Sequence, residues 1–348
     1  MTGTADAVRL GIVGLGRVGA TAPAVPGPDR AAGIIRNHLE AGLAVGGIEV
    51  AALIEPDGER IATVRAGHSS VCETPAYASL SDISPGALDV IALCTPTTTR
   101  AADVAMALTL RPRLLLVEKP LAVDSGAAES LVRAAAAAGV ALRVNFNRRF
   151  DDAICRHHAA TAGARPVALV CRYNKGLLNY ASHMVDLLLH WYGAVEAVQA
   201  IGPAEAADDP TVSFRCDMAA GMPAYVIGLP GAQYDQFEID VFQPQGRVSY
   251  ANNGVEKRAH EAVADLYYPG YAHLRERTAP RDDTPTGGFV EYYRAVVAAL
   301  REDGPLPGCT GPEALANLLV LEAVKASLAD GSRKITLQSP ALAGADPV

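Results

Sequence analysis

Three features of the 348-residue sequence predict an α/β chain of two domains. Short apolar runs alternate with helical patterns over the first 145 residues, a glycine-rich turn follows the first of those runs directly, and a period-two alternation begins near residue 165. The expected architecture is a doubly wound parallel sheet over residues 1–146, followed over 147–348 by an α+β domain with a large, mostly antiparallel sheet. The length agrees, because it exceeds what one hydrophobic core usually supports.

The first strand is "VRLGIVG", and "IEVAALIE" (48–55), "DVIALCTP" (89–96), "RLLLVEKP" (113–120) and "ALRVNF" (141–146) follow it. Each is apolar on both faces, as a strand covered by helices on both sides must be. Between the last two lies "DSGAAESLVRAAAAAG", where Asp124 or Ser125 can cap a helix at its start and Gly139 can end it. Beyond residue 165 the clearest alternation is "DQFEIDVF": Phe237, Ile239 and Val241 face one way, Gln236, Glu238 and Asp240 the other. Such a sheet has one wet or interface-facing side. "PVALVCRY", "TVSFRCDM", "PAYVIGL" and "GRVSYA" are further strands, and helices near 289–302 and 312–330 close the chain.

Composition narrows the function. Half the residues are hydrophobic, yet no apolar run approaches the ~20 residues of a membrane span. "MTGTADAVRLGIVG" lacks the cationic, apolar and cleavage segments of a signal peptide, which predicts a cytoplasmic protein. A net charge of -8 without a lysine and arginine cluster argues against nucleic acid as a partner. The six cysteines, Cys72, Cys94, Cys155, Cys171, Cys216 and Cys309, form no C-x-x-C pair, so reduced thiols are expected and no metal site.

"GIVGLGRVG" supplies G-x-G-x-x-G as Gly14, Gly16 and Gly19 immediately after a strand, where glycines admit a tight turn and a pyrophosphate approaching backbone N–H groups. Glu55, at the end of the second strand, is placed to receive the adenosine ribose hydroxyls and repels a 2′-phosphate, favouring NAD, with NADP as the alternative. The spacing is irregular: 36 positions separate Gly19 from Glu55 where about 20 are usual, and Pro23, Pro26 and Pro28 interrupt the first helix. Either an inserted loop follows a short helix, or the helix begins late, near Asp29.

Taken in order, "VGLGRVG", "CTPTTT", "VEKPLA", "NFNRRF" and an H-x-x-D helix resemble the glucose-fructose oxidoreductase and inositol dehydrogenase family (Gfo/Idh/MocA) across essentially the whole chain. The resemblance implies a Rossmann domain, an α/β domain whose open sheet builds a homodimer or homotetramer, and a carbohydrate-like substrate, a sugar, cyclitol or keto-sugar, bound between them. It implies cofactor contacts from Gly14, Leu15, Gly16, Arg17, Val18, Gly19 and Glu55, from Thr95, Pro96 and Thr97, and from Glu118, Lys119 and Asn147. Arg100 stands where the family often has histidine. Lys119 is implied in substrate binding and catalysis, delivered by the strand end beside the nicotinamide, with its Lys-Pro bond cis in many relatives. It can donate a hydrogen bond to the substrate oxygen.

In "NYASHMVDLLLHWYG", Asn179, His183 and Asp186 fall at i, i+4 and i+7 of a helical pattern and so share a face. The resemblance maps the family's D-x-x-x-H onto Asn179 and His183, makes His183 the general acid/base, and adds Arg148, Asn179 and Asp186 to the substrate contacts. His190 reads as a core or helix-end residue, and Trp191 and Tyr192 as core or interface. Asparagine in place of aspartate can orient an imidazole but cannot stabilise its charged form, which favours carbonyl reduction. The function implied is an NAD(P)-dependent oxidoreductase moving hydride between nicotinamide and a hydroxyl or keto carbon. Two other readings stand beside it: an NAD-dependent enzyme of transient oxidation with elimination or glycoside cleavage, and a non-catalytic dinucleotide-binding regulator.

Overall fold

The structure, a computed structural model, describes residues 7–21, 34–203, 207–254, 256–277 and 287–338. The chain divides into two compact units: residues 7–150 with 287–315, and residues 151–277 with 316–338.

In the first unit, strands β1 (Val8–Val13), β2 (Ile48–Ile54), β3 (Ala76–Tyr77), β4 (Val90–Leu93), β5 (Leu114–Val117) and β6 (Ala141–Val144) are mutually parallel. Helices α1 (His38–Ala44), α2 (Gly58–Gly67), α3 (Arg100–Thr109) and α4 (Ser125–Ala138) connect them. β4 and β5 are buried at every position, the consequence of helices on both faces. Helix α4 follows the capping chemistry of its sequence: the Asp124 side chain accepts from the Ala127 N–H, and Gly139 ends it in the left-handed region at φ 67°.

The irregular spacing has a physical resolution. The Ala20 N–H donates to the Gly16 carbonyl, the His38 N–H to Val18 and the Leu39 N–H to Gly19. In an uninterrupted helical ladder residue 22 would donate to Val18; here His38, sixteen residues further on, makes that bond. Without those sixteen the 36 positions from Gly19 to Glu55 become 20, the usual distance. An insertion after a single turn is therefore what the chain contains. Pro23, Pro26, Pro28 and Asp29 themselves lie outside the described residues.

The second unit opens with α5 (Asp152–Ala159) and β7 (Ala168–Tyr173). A π-helical turn, Leu177–Ala181, runs directly into α6 (Ser182–Tyr192). Then come β8 (Val195–Ile201), β9 (Ser213–Met218), β10 (Pro223–Gly228), β11 (Phe237–Gln243), β12 (Gly246–Ala251), β13 (Glu256–Ala264) and β14 (Ala272–Arg277). Helix α7 (Phe289–Glu302), strand β15 (Cys309–Thr310), helix α8 (Gly311–Ala329) and strand β16 (Ile335–Thr336) complete the chain. The second sheet runs β14-β13-β12-β11-β7-β10-β9-β8-β16, antiparallel except where β10 meets β7. The alternation in β11 is real for its apolar face, with Phe237, Ile239 and Val241 at 2% exposure or less. Its polar face is not uniformly wet, because Asp240 is equally buried, held by Arg172, Arg247 and Ser249.

The first sheet runs β15-β6-β5-β4-β1-β2-β3, and β15 adds to its edge antiparallel to β6. Helix α7 belongs with it, since Phe289, Tyr292, Tyr293, Val296, Val297 and Leu300 share the core of β1, β4 and β5. The sequence reading assigned everything after residue 146 to the second domain; the chain instead returns to the first unit over 287–315. Nothing local in the α7 sequence distinguishes a helix that stays from one that returns. Among the described residues no helix is long and apolar enough to cross a membrane.

Candidate functional site

In an open parallel sheet the ligand crevice lies beyond the carboxyl ends of the strands where their order reverses, here between β1 and β4. Three turns meet that end of the first sheet, one after each of β1, β4 and β5.

After β1, Gly14 adopts φ 83°, open to glycine at little cost, and its N–H donates to the Ile54 carbonyl. A Cβ at Gly19 would overlap the Gly14 carbonyl oxygen, whereas at Gly16 nothing of the protein stands within 4 Å. The first and third glycines thus fold the turn on itself and the second leaves open space. That arrangement fits a pyrophosphate. Leu15 is buried in the core, and Arg17 and Val18 are exposed on the turn.

Glu55 is in place at the end of β2 but is already engaged. Its carboxylate accepts from the Leu15 N–H at 2.9 Å and the Asp57 N–H at 3.2 Å, and pairs with Arg60 at 3.2 Å. With its side chain 5% exposed, Glu55 braces the glycine turn as well as fixing the sign of charge there. Arg60, about half exposed, brings a cation to the same corner.

After β4, the Thr95 hydroxyl donates to Asp103, which also accepts from Thr99, while Pro96 and Thr97 accept from the first turn of α3. Arg100 turns back beneath this loop. Its guanidinium, 2% exposed, donates to the carbonyls of Thr95, Glu118 and Pro120, tying the β4 turn to the β5 turn. Burial lowers its proton affinity and the nearby Glu118 charge opposes that.

After β5, the Lys119-Pro120 peptide bond is cis. Glu118 points into a buried polar cluster: its carboxylate accepts from Asn145 Nδ2 at 2.6 Å and lies 3.0 Å from His38 Nε2, whose Nδ1 is 2.8 Å from the Tyr293 hydroxyl. Burial alone would pull the His38 imidazole down, but Cys94, Tyr293 and Glu118 hold it well above the ordinary histidine range. Burial would push the Glu118 carboxyl up, yet His38, Asn145 and the Lys119 charge hold it below the usual carboxylate range. The two directions agree on an imidazolium paired with a carboxylate. Lys119 itself is half-buried, and its charge acts on Glu118.

Asn147, which the resemblance implies faces the cofactor, donates its side-chain amide to the Gly287 carbonyl. Its neighbour two residues earlier, Asn145, is the one that reaches Glu118. Arg148 is half-buried in the 3-10 turn Asn147–Phe150, and the adjacent Arg149 pairs with Glu313 at 3.0 Å.

In the second unit, Asn179 is exposed within the π turn, while His183 and Asp186 lie buried in α6 at 9% and 1% exposure. The single helical face expected from i, i+4 and i+7 is therefore offset at its first member. The Tyr180 and Ala181 N–H groups both donate to the Gly176 carbonyl, widening the turn before α6 begins. His190 is exposed in the last turn of α6, and Trp191 packs on the core and stacks on His158 at 4.6 Å. Among the described residues no cluster of three or more His, Cys, Asp or Glu side chains could hold a metal.

His38 and Asn145 carried no sequence signal, because a lone histidine after an insertion and an asparagine at a strand end are common. Arg100 was visible only as a departure from a pattern.

Residues 8–146 match the family described as "Oxidoreductase family, NAD-binding Rossmann fold" (GFO_IDH_MocA). Over 252 residues, 61% of this chain and 69% of the relative, the sequence is 24% identical to the scyllo-inositol 2-dehydrogenase (NADP(+)) of Bacillus subtilis (strain 168). The fold matches the WlbA dehydrogenase of Bordetella pertussis, solved with NADH and UDP-GlcNAcA, at TM-score 0.71 and 21% identity over 95% of this chain and 99% of that one. It also matches an oxidoreductase from Agrobacterium radiobacter, solved with NAD+, L-tartaric acid and magnesium, at TM-score 0.70 and 18% identity over 94% and 98%. With its glycine turn, its E-K-P turn and this match, the stretch 8–146 belongs to the Gfo/Idh/MocA oxidoreductase family as its NAD-binding Rossmann domain.

Proposed function

We propose that the protein interconverts a secondary hydroxyl and a ketone on a polyhydroxylated ring, a cyclitol or sugar, with Lys119 and His183 both serving the reacting oxygen. The observation that carries this reading is the fixation of the E-K-P turn. Arg100 grips its carbonyls and the His38-Glu118-Asn145 cluster anchors its carboxylate, leaving Lys119 at the carboxyl end of β5, one strand from the crevice. A side chain held on fixed backbone loses little entropy when it meets substrate.

Gly14, Gly16 and Gly19 would hold the dinucleotide pyrophosphate and Thr95–Thr97 its nicotinamide ribose. The bound nicotinamide supplies or takes up the hydride. In the reducing direction the Lys119 ammonium donates a hydrogen bond to the carbonyl oxygen and stabilises the charge that develops there. The His183 imidazolium delivers the proton to that oxygen and is left as neutral imidazole, which takes the proton back in oxidation. Because residue 179 is asparagine, no carboxylate at that position steadies a charged imidazole, and reduction is the favoured direction. The ring-hydroxyl substrate class is supported by the inositol and UDP-sugar relatives.

Arg60 beside Glu55 supports NADP as a second cofactor, since an arginine at this corner can accept a 2′-phosphate. The test is turnover of a panel of inositols, inososes and nucleotide sugars by wild type and Lys119→Met. Loss of at least 100-fold in kcat with unchanged dinucleotide affinity is expected. Full turnover by the variant would reject the assignment.

A further inference from the structure

We propose that Asp209, in the β8–β9 connection, is a positioning residue for the reaction. It clamps the π turn that sets Asn179 and His183 relative to one another, and this inference rests on the role of His183 proposed above.

The clamp is dense. The two carboxylate oxygens of Asp209 accept separately from the Leu178 N–H at 2.7 Å and the Asn179 N–H at 3.0 Å. These amides belong to the opening turn of a helix, where intrahelical acceptors are lacking, and a carboxylate is the strongest partner they can have. The neighbours of Asp209 continue the grip: the Pro210 carbonyl accepts from the Leu177 N–H at 3.1 Å, and the Thr211 hydroxyl from the Gly176 N–H at 3.1 Å. Val212 then exchanges two hydrogen bonds with the hydroxyl of Tyr173, the last residue of β7. Four successive amides, 176 to 179, are thus held by three successive residues, 209 to 211.

The backbone entering the turn is unusual in the same place. Lys175 lies at φ 65° and Gly176 at φ 89°, and a Cβ at Gly176 would overlap the Asp209 carboxylate. Left-handed lysine, a glycine with no room for a side chain and a π turn cost energy one after another, and such features persist where the surroundings over-determine them. The turn leads without a break into α6, so whatever fixes residues 176–179 fixes the approach to His183 one turn on.

The clamp also bears on the asparagine at 179. A carboxylate on that residue would stand within a few ångströms of the Asp209 carboxylate that already binds its backbone N–H, and like charges at that range oppose one another. Asparagine removes the conflict.

The experiment measures amide exchange over residues 174–182 together with steady-state kinetics, in wild type, Asp209→Asn, Asp209→Ala and Gly176→Ala. Exchange at 178 and 179 should quicken at least 10-fold in the alanine variants and less in Asp209→Asn, which keeps one acceptor. The same order should appear in kcat, with a loss of about 10-fold or more, while the dinucleotide dissociation constant stays within 2-fold, because the glycine turn belongs to the first unit. Asn179→Asp should lower kcat, and the double variant with Asp209→Asn should recover it. Unchanged exchange at 178 and 179 overturns the clamp. Quickened exchange with kcat intact overturns the positioning role. If Lys119→Met keeps full activity, it is the assignment of the reaction that fails, and the exchange result distinguishes the two.

Discussion

Excising residues 22–37, so that Thr21 is joined to His38, should leave a folded protein with its dinucleotide affinity intact. The hydrogen bonds from His38 and Leu39 to Val18 and Gly19 already form the ladder that the shortened chain would have. Closing a sixteen-residue excursion costs about (3/2)RT ln 16, roughly 2.5 kcal/mol, which the deletion returns. Against it stand the Asn37 cap on the Glu40 N–H, worth about 1 kcal/mol, and the partial burial of Ile35 against the first core, worth roughly another 1 kcal/mol. The loss of Asn37 is softened because its buried Nδ2 has no hydrogen-bond partner among the described residues. The terms nearly cancel, so thermal unfolding should move by no more than a few degrees. Differential scanning calorimetry and NAD titration by isothermal calorimetry give the two readouts. A fall of more than about 10 °C, or lost NAD binding, would show that the excised segment builds the first helix and refute the ladder argument.

Two other perturbations follow from the same structure. His157 is buried as a neutral ring whose pKa is pushed down to about 3, first by burial and then by His158 and Lys257, against the opposing Asp240. Unfolded histidine titrates near 6.5, so below that pH the unfolded chain binds the proton first and stability falls by about 1.4 kcal/mol per pH unit toward pH 3. Replacing it by phenylalanine, which can keep the edge contact with Tyr250, should flatten the urea-midpoint profile between pH 6.5 and 4.5, by roughly 2–3 kcal/mol at the lower end; parallel profiles would count against it. Arg60→Ala should weaken NADP binding by about 10-fold or more, the worth of a charge-assisted hydrogen bond, and alter NAD binding by less than 3-fold. Equal effects on both would remove Arg60 from cofactor choice.

Where function was legible in the sequence, a local rule left only one residue type able to satisfy it. The glycine turn could be read because Gly14 needs its positive φ and Gly19 has no room for a Cβ. Strands β4 to β6 and helix α4 could be read because burial on both faces and end-capping leave strong marks on composition. The return of α7 to the first unit could not, since its apolar stripe is indifferent to which core receives it. Nor could the His38-Glu118-Asn145 cluster, whose members lie 27 and 80 positions apart. Glu118 was read for its place in E-K-P, and only coordinates show that it holds the turn from inside.

Three departures from the family pattern, the insertion after Gly19, Arg100 for histidine and Asn179 for aspartate, are each met by a local structural answer. The insertion leaves the helical ladder continuous and delivers His38 to Glu118. The arginine binds three carbonyls and joins the turn after β4, beside the crevice, to the turn after β5. The asparagine sits on a turn whose amides are held by a carboxylate from another part of the chain. A protein retained only to bind a dinucleotide would need the glycine turn and nothing at Lys119 or His183. What stands at both places is instead fully braced: a buried ion pair behind the E-K-P turn and a clamped π turn ahead of His183. Burying a charged pair and straining a backbone both cost stability. Their presence beside Lys119 and His183 supports catalysis by those two residues over a purely regulatory role.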